Sequence, residues 1–257
     1  MKLKLAAVVA ALVASVFAAS ASALIGGTPD GQGHPYVALI AYFPTGNPAD
    51  GFELCSGVLL SPKVYVTAAH CFPGGGQTGF ALVDNEPNAL ADLHRPGFGN
   101  GVPAASVTID PSYRSGGSGL AHFEANDLAV VQLAGPLEAG RYAQLPALGD
   151  DVALPNNQAI DTVAYGVQVA GVNASAGSRQ VAKQKIVPGG GATGATFLKA
   201  SAGTVCNGDS GGPNLKAGTD LVLAINSYGP SASCNAVTYS QRLDTPDAIA
   251  FLAAFAP

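Results

Sequence analysis

The sequence holds 257 residues, 48% of them apolar and only 11% charged, with a formal net charge of −5. That apolar share supplies a sizeable core and excludes an intrinsically disordered chain. With 12 basic residues against 17 acidic ones, the composition argues against nucleic acid, whose binding needs a basic surface, and no Lys/Arg run marks an anionic membrane partner.

The chain opens with Lys2 and Lys4, an almost wholly apolar run over residues 5–19, and the small residues Ala21-Ser22-Ala23. This is the pattern of a signal peptide with its cleavage site, so residues 1–23 are expected to be removed on export and residues 24–257 to form the secreted protein. The apolar run is short of the ~20 residues a spanning helix needs. Residues 36–43 are β-branched and aromatic enough for a strand, bounded by Pro44, Gly46 and Pro48. Residues 54–60 and 63–67 form a strand pair around Ser61-Pro62. Residues 72–79 and 116–119 are Gly-rich and belong in loops. A strong strand is expected over 128–133. Further strands are expected over 221–227 and 237–242, with a loop at Gly189-Gly190-Gly191. Thr245 as N-cap and Pro246 at the first helical position then start a terminal helix. Short strands, frequent turns and one helix make an all-β protein, and barrels of roughly 200–250 residues form one unit.

The chemistry is concentrated in Cys206-Asn207-Gly208-Asp209-Ser210-Gly211-Gly212-Pro213. Glycines on both sides of a serine let backbone approach a ligand closely, and an acid directly before the serine suggests a carboxylate held by a specific cation. The stretch also fits Gly-x-Ser-x-Gly, the nucleophile elbow of α/β-hydrolases, whose triad runs Ser, then acid, then His. All four histidines, His34, His70, His94 and His122, precede Ser210, so that reading fails on chain order. The order His, Asp, Ser succeeds. Thr67-Ala68-Ala69-His70-Cys71 and Asn126-Asp127-Leu128-Ala129-Val130-Val131 lie upstream of Ser210 in that order. Together these three segments resemble the trypsin/chymotrypsin family of serine proteases. Cys55-Ser56-Gly57-Val58-Leu59-Leu60, Val107-Thr108-Ile109-Asp110-Pro111-Ser112-Tyr113, and Thr162-Val163-Ala164-Tyr165-Gly166 extend the likeness, the last with tyrosine where the family usually has tryptophan.

The resemblance implies two six-stranded antiparallel β-barrels of the chymotrypsin type with a C-terminal helix, the halves linked by the region 144–151 with their boundary near 140–150. It implies a serine endopeptidase with Ser210 as nucleophile, His70 as general base and then acid, and Asp127 orienting the imidazole. The N–H groups of Gly208 and Ser210 would form the oxyanion hole. Four cysteines in an exported chain read as disulfides with three possible connectivities, and no Cys-x-x-Cys or His-x3-His spacing points to zinc. The resemblance selects Cys55–Cys71 and Cys206–Cys234. It places Thr204, Ser227, Tyr228, Gly229 and Val237 around the specificity pocket. A neutral Thr204 floor and a branched Val237 then imply cleavage after small or medium apolar residues. Leu24-Ile25-Gly26-Gly27 resembles the family's activated N-terminus, whose amine pairs with the acid before the serine, here Asp209. It begins directly after Ala23, so export cleavage itself is expected to create the active form.

Asp84, Glu86 and Asp92 fall where some family members bind calcium, but they lack ligand-loop spacing, so no metal and no cofactor are assigned. Asn173-Ala174-Ser175 is a glycosylation sequon, meaningful only in a eukaryotic source. The expected partner is a protein or peptide substrate, handled by a secreted monomer without nucleic acid or membrane. Two other functions fit the scaffold: a non-catalytic binding protein, which usually lacks a triad member, and an esterase using the same machinery.

Overall fold

The computed structural model describes residues 24–76, 79–115, 125–150, 154–187 and 197–255. In the first half, β2 (Val37–Phe43), β3 (Glu53–Ser61), β4 (Val64–Thr67), β5 (Phe80–Asp84), β6 (Val102–Ile109) and β7 (Ala129–Leu133) close into a barrel, in the order β2-β3-β4-β7-β6-β5. All pairings are antiparallel. Every residue of β2 is buried, because it pairs with β3 on one side and β5 on the other while its two faces are covered by the core. One apolar cluster joins Leu39, Val58 and Val66 of this barrel to Tyr165, Leu215 and Ile225 of the second half, so the halves share a core.

The second half is a seven-stranded sheet rather than a plain six-stranded barrel. Its strands are β1 (Thr28–Pro29), β8 (Ala159–Ala164), β9 (Gln180–Lys185), β10 (Phe197–Ala200), β11 (Pro213–Lys216), β12 (Val222–Tyr228) and β13 (Thr238–Arg242). They lie in the order β1-β9-β8-β11-β12-β13-β10. The added strand is β1, which pairs with one end of β9. Just beyond the other end of β9, Ile186 bridges Ala200 of β10, which brings the two ends of the six-strand run together. Between the halves, Ala143 N–H donates to Leu59 O at 3.1 Å and Gln144 N–H to Asp220 O at 2.9 Å, so this segment spans from one half to the other.

Helix α1 (Ala89–Leu93) was not anticipated; α2 (Pro246–Ala253) was, and Thr245 caps it by accepting from Ala248 N–H at 3.3 Å. The expected loops at 116–119 and 189–191 lie wholly or largely outside the described residues, as does the leader. Among the described residues no helix is long and apolar enough to cross a membrane. Both disulfides, Cys55–Cys71 and Cys206–Cys234, are formed.

The segment that carries β1 is held by a buried cation. Arg179 and Asp30 are 0% and 2% exposed, with Arg179 Nε donating to Asp30 Oδ2 at 3.0 Å. Arg179 Nη1 donates to Asn85 O at 2.7 Å and Val37 O at 3.0 Å, and Nη2 to Gly31 O. Burial alone would raise the Asp30 carboxyl, but hydrogen bonds and charge from His34, with Arg179, hold it below the usual range. Removing Arg179 leaves the Asp30 carboxylate only His34 among the described residues and takes a buried donor from the carbonyls of Val37, Asn85 and Gly31, so Arg179→Ala should cost about 3–5 kcal/mol. A denaturant midpoint that shifts by less than about 1 kcal/mol of unfolding free energy would show that the pair is not what holds this segment.

Candidate active site

His70 sits in a single 3-10 turn, Ala69–Cys71, directly after β4. That turn is tied to β3 through the Cys55–Cys71 disulfide. Asp127 lies two residues before β7, which pairs with β4, so the barrel brings the two side chains together. Asp127 is fully buried and its carboxylate accepts three hydrogen bonds: Oδ1 from His70 N–H at 2.9 Å, and Oδ2 from His70 Nδ1 at 2.7 Å and Ser227 Oγ at 2.6 Å. Its own N–H donates to Gln241 Oε1 at 3.3 Å. A carboxylate can only accept, which puts the imidazole proton on Nδ1. Nε2 is then left with its lone pair 2.8 Å from Ser210 Oγ. In that arrangement the imidazole can take the hydroxyl proton as the oxygen attacks.

The turn carrying Ser210 leads into β11. Gly211 has φ +77°, and a Cβ there would lie 2.1 Å from Thr67 Oγ1 and 2.4 Å from Ser56 O, so only glycine fits. Gly211 N–H donates to Asn226 O at 2.7 Å. Asp209 O accepts from Gly212 N–H at 3.0 Å and Asn226 Nδ2 at 3.1 Å, while Asn207 O accepts from Val167 N–H at 2.8 Å. Among the described residues the N–H groups of Gly208 and Ser210 donate to no protein acceptor. Backbone N–H groups without a protein acceptor can donate to a negatively charged oxygen.

The family model that matches the chain is that of trypsin, over residues 25–245. The chain belongs to the trypsin family. It is therefore a serine endopeptidase. Brachyurin from Leptuca pugilator is 29% identical over 204 residues, which cover 73% of this chain and 80% of brachyurin. A solved structure of HL collagenase superposes with a TM-score of 0.66, covering 86% of this chain and 94% of that one. At 17% identity that likeness speaks for the fold.

In this trypsin-family chain two clefts meet at Ser210. One, about 480 Å³, is lined by Leu54, Asn207 and Gly208 and reaches the Cys55–Cys71 disulfide. The other, about 200 Å³, is lined by Ser227, Tyr228, Gly229, Val205 and the Cys206–Cys234 disulfide. No charged side chain is among that lining. Thr204 and Val237 flank lining residues, Thr204 next to Val205 in the chain and Val237 packed with Tyr228. The backbone carbonyl of Thr204 accepts from Ile25 N–H at 2.9 Å, and Val237 packs in one cluster with Phe197, Tyr228 and Tyr239. Of the residues expected around the pocket, Ser227, Tyr228 and Gly229 line this cleft, and Val205 joins them.

Leu24 is fully buried against Ala164, Ala182 and Val205, next to the strand that precedes Gly166. Asp209 is also fully buried; its oxygens accept from Gly166 N–H and Cys206 N–H, each at 2.8 Å. No cationic side chain pairs with it among the described residues. Burial accordingly pushes the Asp209 carboxyl up to about 8. The acids in the other cluster have separate engagements. Asp92 takes Arg95 at 2.9 Å and Asn100 N–H at 2.6 Å, Glu86 takes Asn100 Nδ2 at 3.2 Å, and burial first, with Asp92 beside it, pushes Asp84 up to about 7. The group Cys55, His70 and Cys71 converges closely enough for a metal, but both sulfurs are spent in the disulfide.

Sequence reasoning had no signal for Asn226, or for the bonds that Gln241 and Ser227 make to Asp127. Each is an ordinary polar residue in a strand until the fold turns it inward.

Proposed function

We propose that this endopeptidase works through Ser210, His70 and Asp127 and leaves an acyl-enzyme on Ser210. Ser210 Oγ bonds to the scissile carbonyl carbon as its proton moves to His70 Nε2. The carbonyl oxygen takes the negative charge and is met by the N–H groups of Gly208 and Ser210. Collapse breaks the C–N bond, and the Nε2 proton goes to the leaving amine. Water then repeats the sequence, returning the proton to Ser210 Oγ as the acid product leaves. Asp127 stabilises the imidazolium without taking the proton. The observation that carries this reading is the unbroken chain of contacts Asp127–His70–Ser210 at 2.7 and 2.8 Å.

In this reading residues 1–23 are a signal peptide and the enzyme is secreted, which the two disulfides favour. The catalytic unit runs over 24–257, its halves meeting near 140–150, and Leu24 supplies the amine that pairs with Asp209. The residue before the cut bond is small or medium and apolar. A pocket of about 200 Å³ with an uncharged lining has no partner for a Lys or Arg head, whose unpaired burial is costly. A misfit of methylene scale costs about 10–200-fold in kcat/KM. Profiling cleavage sites in a denatured protein mixture should return Ala, Val or Leu before the cut. Efficient cleavage after Arg or Lys would overturn the assignment, and turnover of small esters with no peptide cleavage would make the protein an esterase.

A further inference from the structure

We propose that Ser56 is a positioning residue for the oxyanion donors, acting from the first barrel on the turn that carries the nucleophile. The inference rests on the reading of Ser210 and its neighbouring N–H groups given above. Ser56 lies on β3 between Cys55 of the first disulfide and Gly57, and it is fully buried. Its Oγ donates to Gly208 O at 2.8 Å and accepts from Tyr165 N–H at 2.9 Å. Its backbone N–H donates to Ser210 O at 2.8 Å, and its carbonyl accepts from Thr67 Oγ1 at 2.7 Å. The direction of the hydroxyl is settled by chemistry. Tyr165 N–H can only donate and Gly208 O can only accept, so the single hydroxyl proton points at Gly208.

A planar trans peptide has its N–H opposite its C=O. Fixing a carbonyl therefore aims the N–H of the same unit. Asn207 O is fixed by Val167 N–H, which aims Gly208 N–H, and Asp209 O is fixed by Gly212 N–H and Asn226, which aims Ser210 N–H. The 208–209 peptide joins those two donor units. Its carbonyl is held by Ser56 Oγ and its N–H donates to Cys206 O at 3.1 Å. Gly208 itself offers little resistance to rotation, since it has φ +88° and no side chain. Without the hydroxyl, Gly208 O and Tyr165 N–H both lose a buried partner, and the connecting peptide gains freedom to turn. The donors then spend less time converged on one oxygen.

Deleting an oxyanion donor outright costs about 10²–10³ in rate; loosening its aim should cost less. Ser56→Ala is expected to lower kcat about 10–100-fold per active site, counted by burst titration, with KM within about threefold of the parent. Affinity for a peptide boronate, whose tetrahedral adduct fills the oxyanion site, should fall by the same factor as kcat. Ser56→Thr, which restores the hydroxyl, should recover most of both. Should alanine prevent folding, Ser56→Gly removes the hydroxyl with less bulk and carries the same measurements. A folded Ala or Gly variant with kcat and boronate affinity within twofold of the parent would overturn the inference, as would a loss confined to KM. If Ser210→Ala retains full activity, the catalytic reading has failed instead; if Ser210→Ala is inactive while Ser56→Ala is normal, only this inference has failed.

Discussion

Replacing Ser210 or His70 by alanine is expected to lower kcat about 10⁴–10⁶-fold while leaving the fold intact. The magnitude follows from the geometry. Ser210 Oγ is a weak nucleophile unless Nε2, at 2.8 Å, removes its proton, and without the imidazole nothing nearby can do so. The residual rate comes from binding and the two open N–H donors, which neither substitution touches. Because the two side chains act as a unit, the double variant should be barely slower than either single one. Steady-state kinetics on all three variants, with circular dichroism to verify folding, makes the comparison. Strictly additive losses would mean that the residues act separately.

An extra residue left on the amine of Leu24, or its acetylation, is expected to give a folded but weakly active protein. Asp209 is fully buried with only two backbone donors, and burial pushes it up to about 8. An unfolded aspartate titrates near ~3.9. Between those values the folded extended chain holds a proton that the unfolded chain has released, so its stability falls as pH rises from ~4 to about 8 and levels off above. Under the proposed pairing, a free Leu24 ammonium removes that loss by letting the carboxylate ionise as a pair. The amine, near ~7.7–8.0 when unpaired, is raised by the pairing. Its contribution is full below the unfolded value and fades as pH climbs past the folded one. Denaturant midpoints from about pH 4 to 9 should therefore decline steadily for the extended chain and hold up to neutral pH for the chain beginning at Leu24. Equal activity and parallel pH profiles would remove Asp209 from any such role.

The first barrel was legible because its interior is apolar: residues 36–43, 54–60 and 63–67 were readable as strands, and β2, β3 and β4 occupy them to within a residue or two. β5 was missed as a short strand behind a glycine-rich loop, and α1 because five residues carry no helical period. The second half hid β9 and β11 for another reason. Gln180 and Gln184 of β9 and Asn214 of β11 point inward, where Thr162 Oγ1 lies 2.6 Å from both Gln184 Oε1 and Asn214 Oδ1, and Asn214 Nδ2 reaches Asn226 at 2.8 Å. A polar interior cancels the alternation by which a half-buried strand is recognised. The same network hid Asn226, whose amide holds the Asp209 carbonyl. His70, Asp127 and Ser210 were legible from their order along the chain and from the family likeness of the segments around them, and the fold puts His70 within hydrogen-bond distance of both others. Val205 of the pocket lining carried no signal, because an apolar residue beside a cysteine reads as core until the fold opens a cleft next to it.

The most direct test of the central claim is to treat the protein with a fluorophosphonate and locate the adduct by peptide mass spectrometry. The account predicts one adduct, on Ser210, forming in the parent and lost in a folded His70→Ala variant. An unmodified Ser210 in an active preparation, or equal labelling without His70, would contradict it.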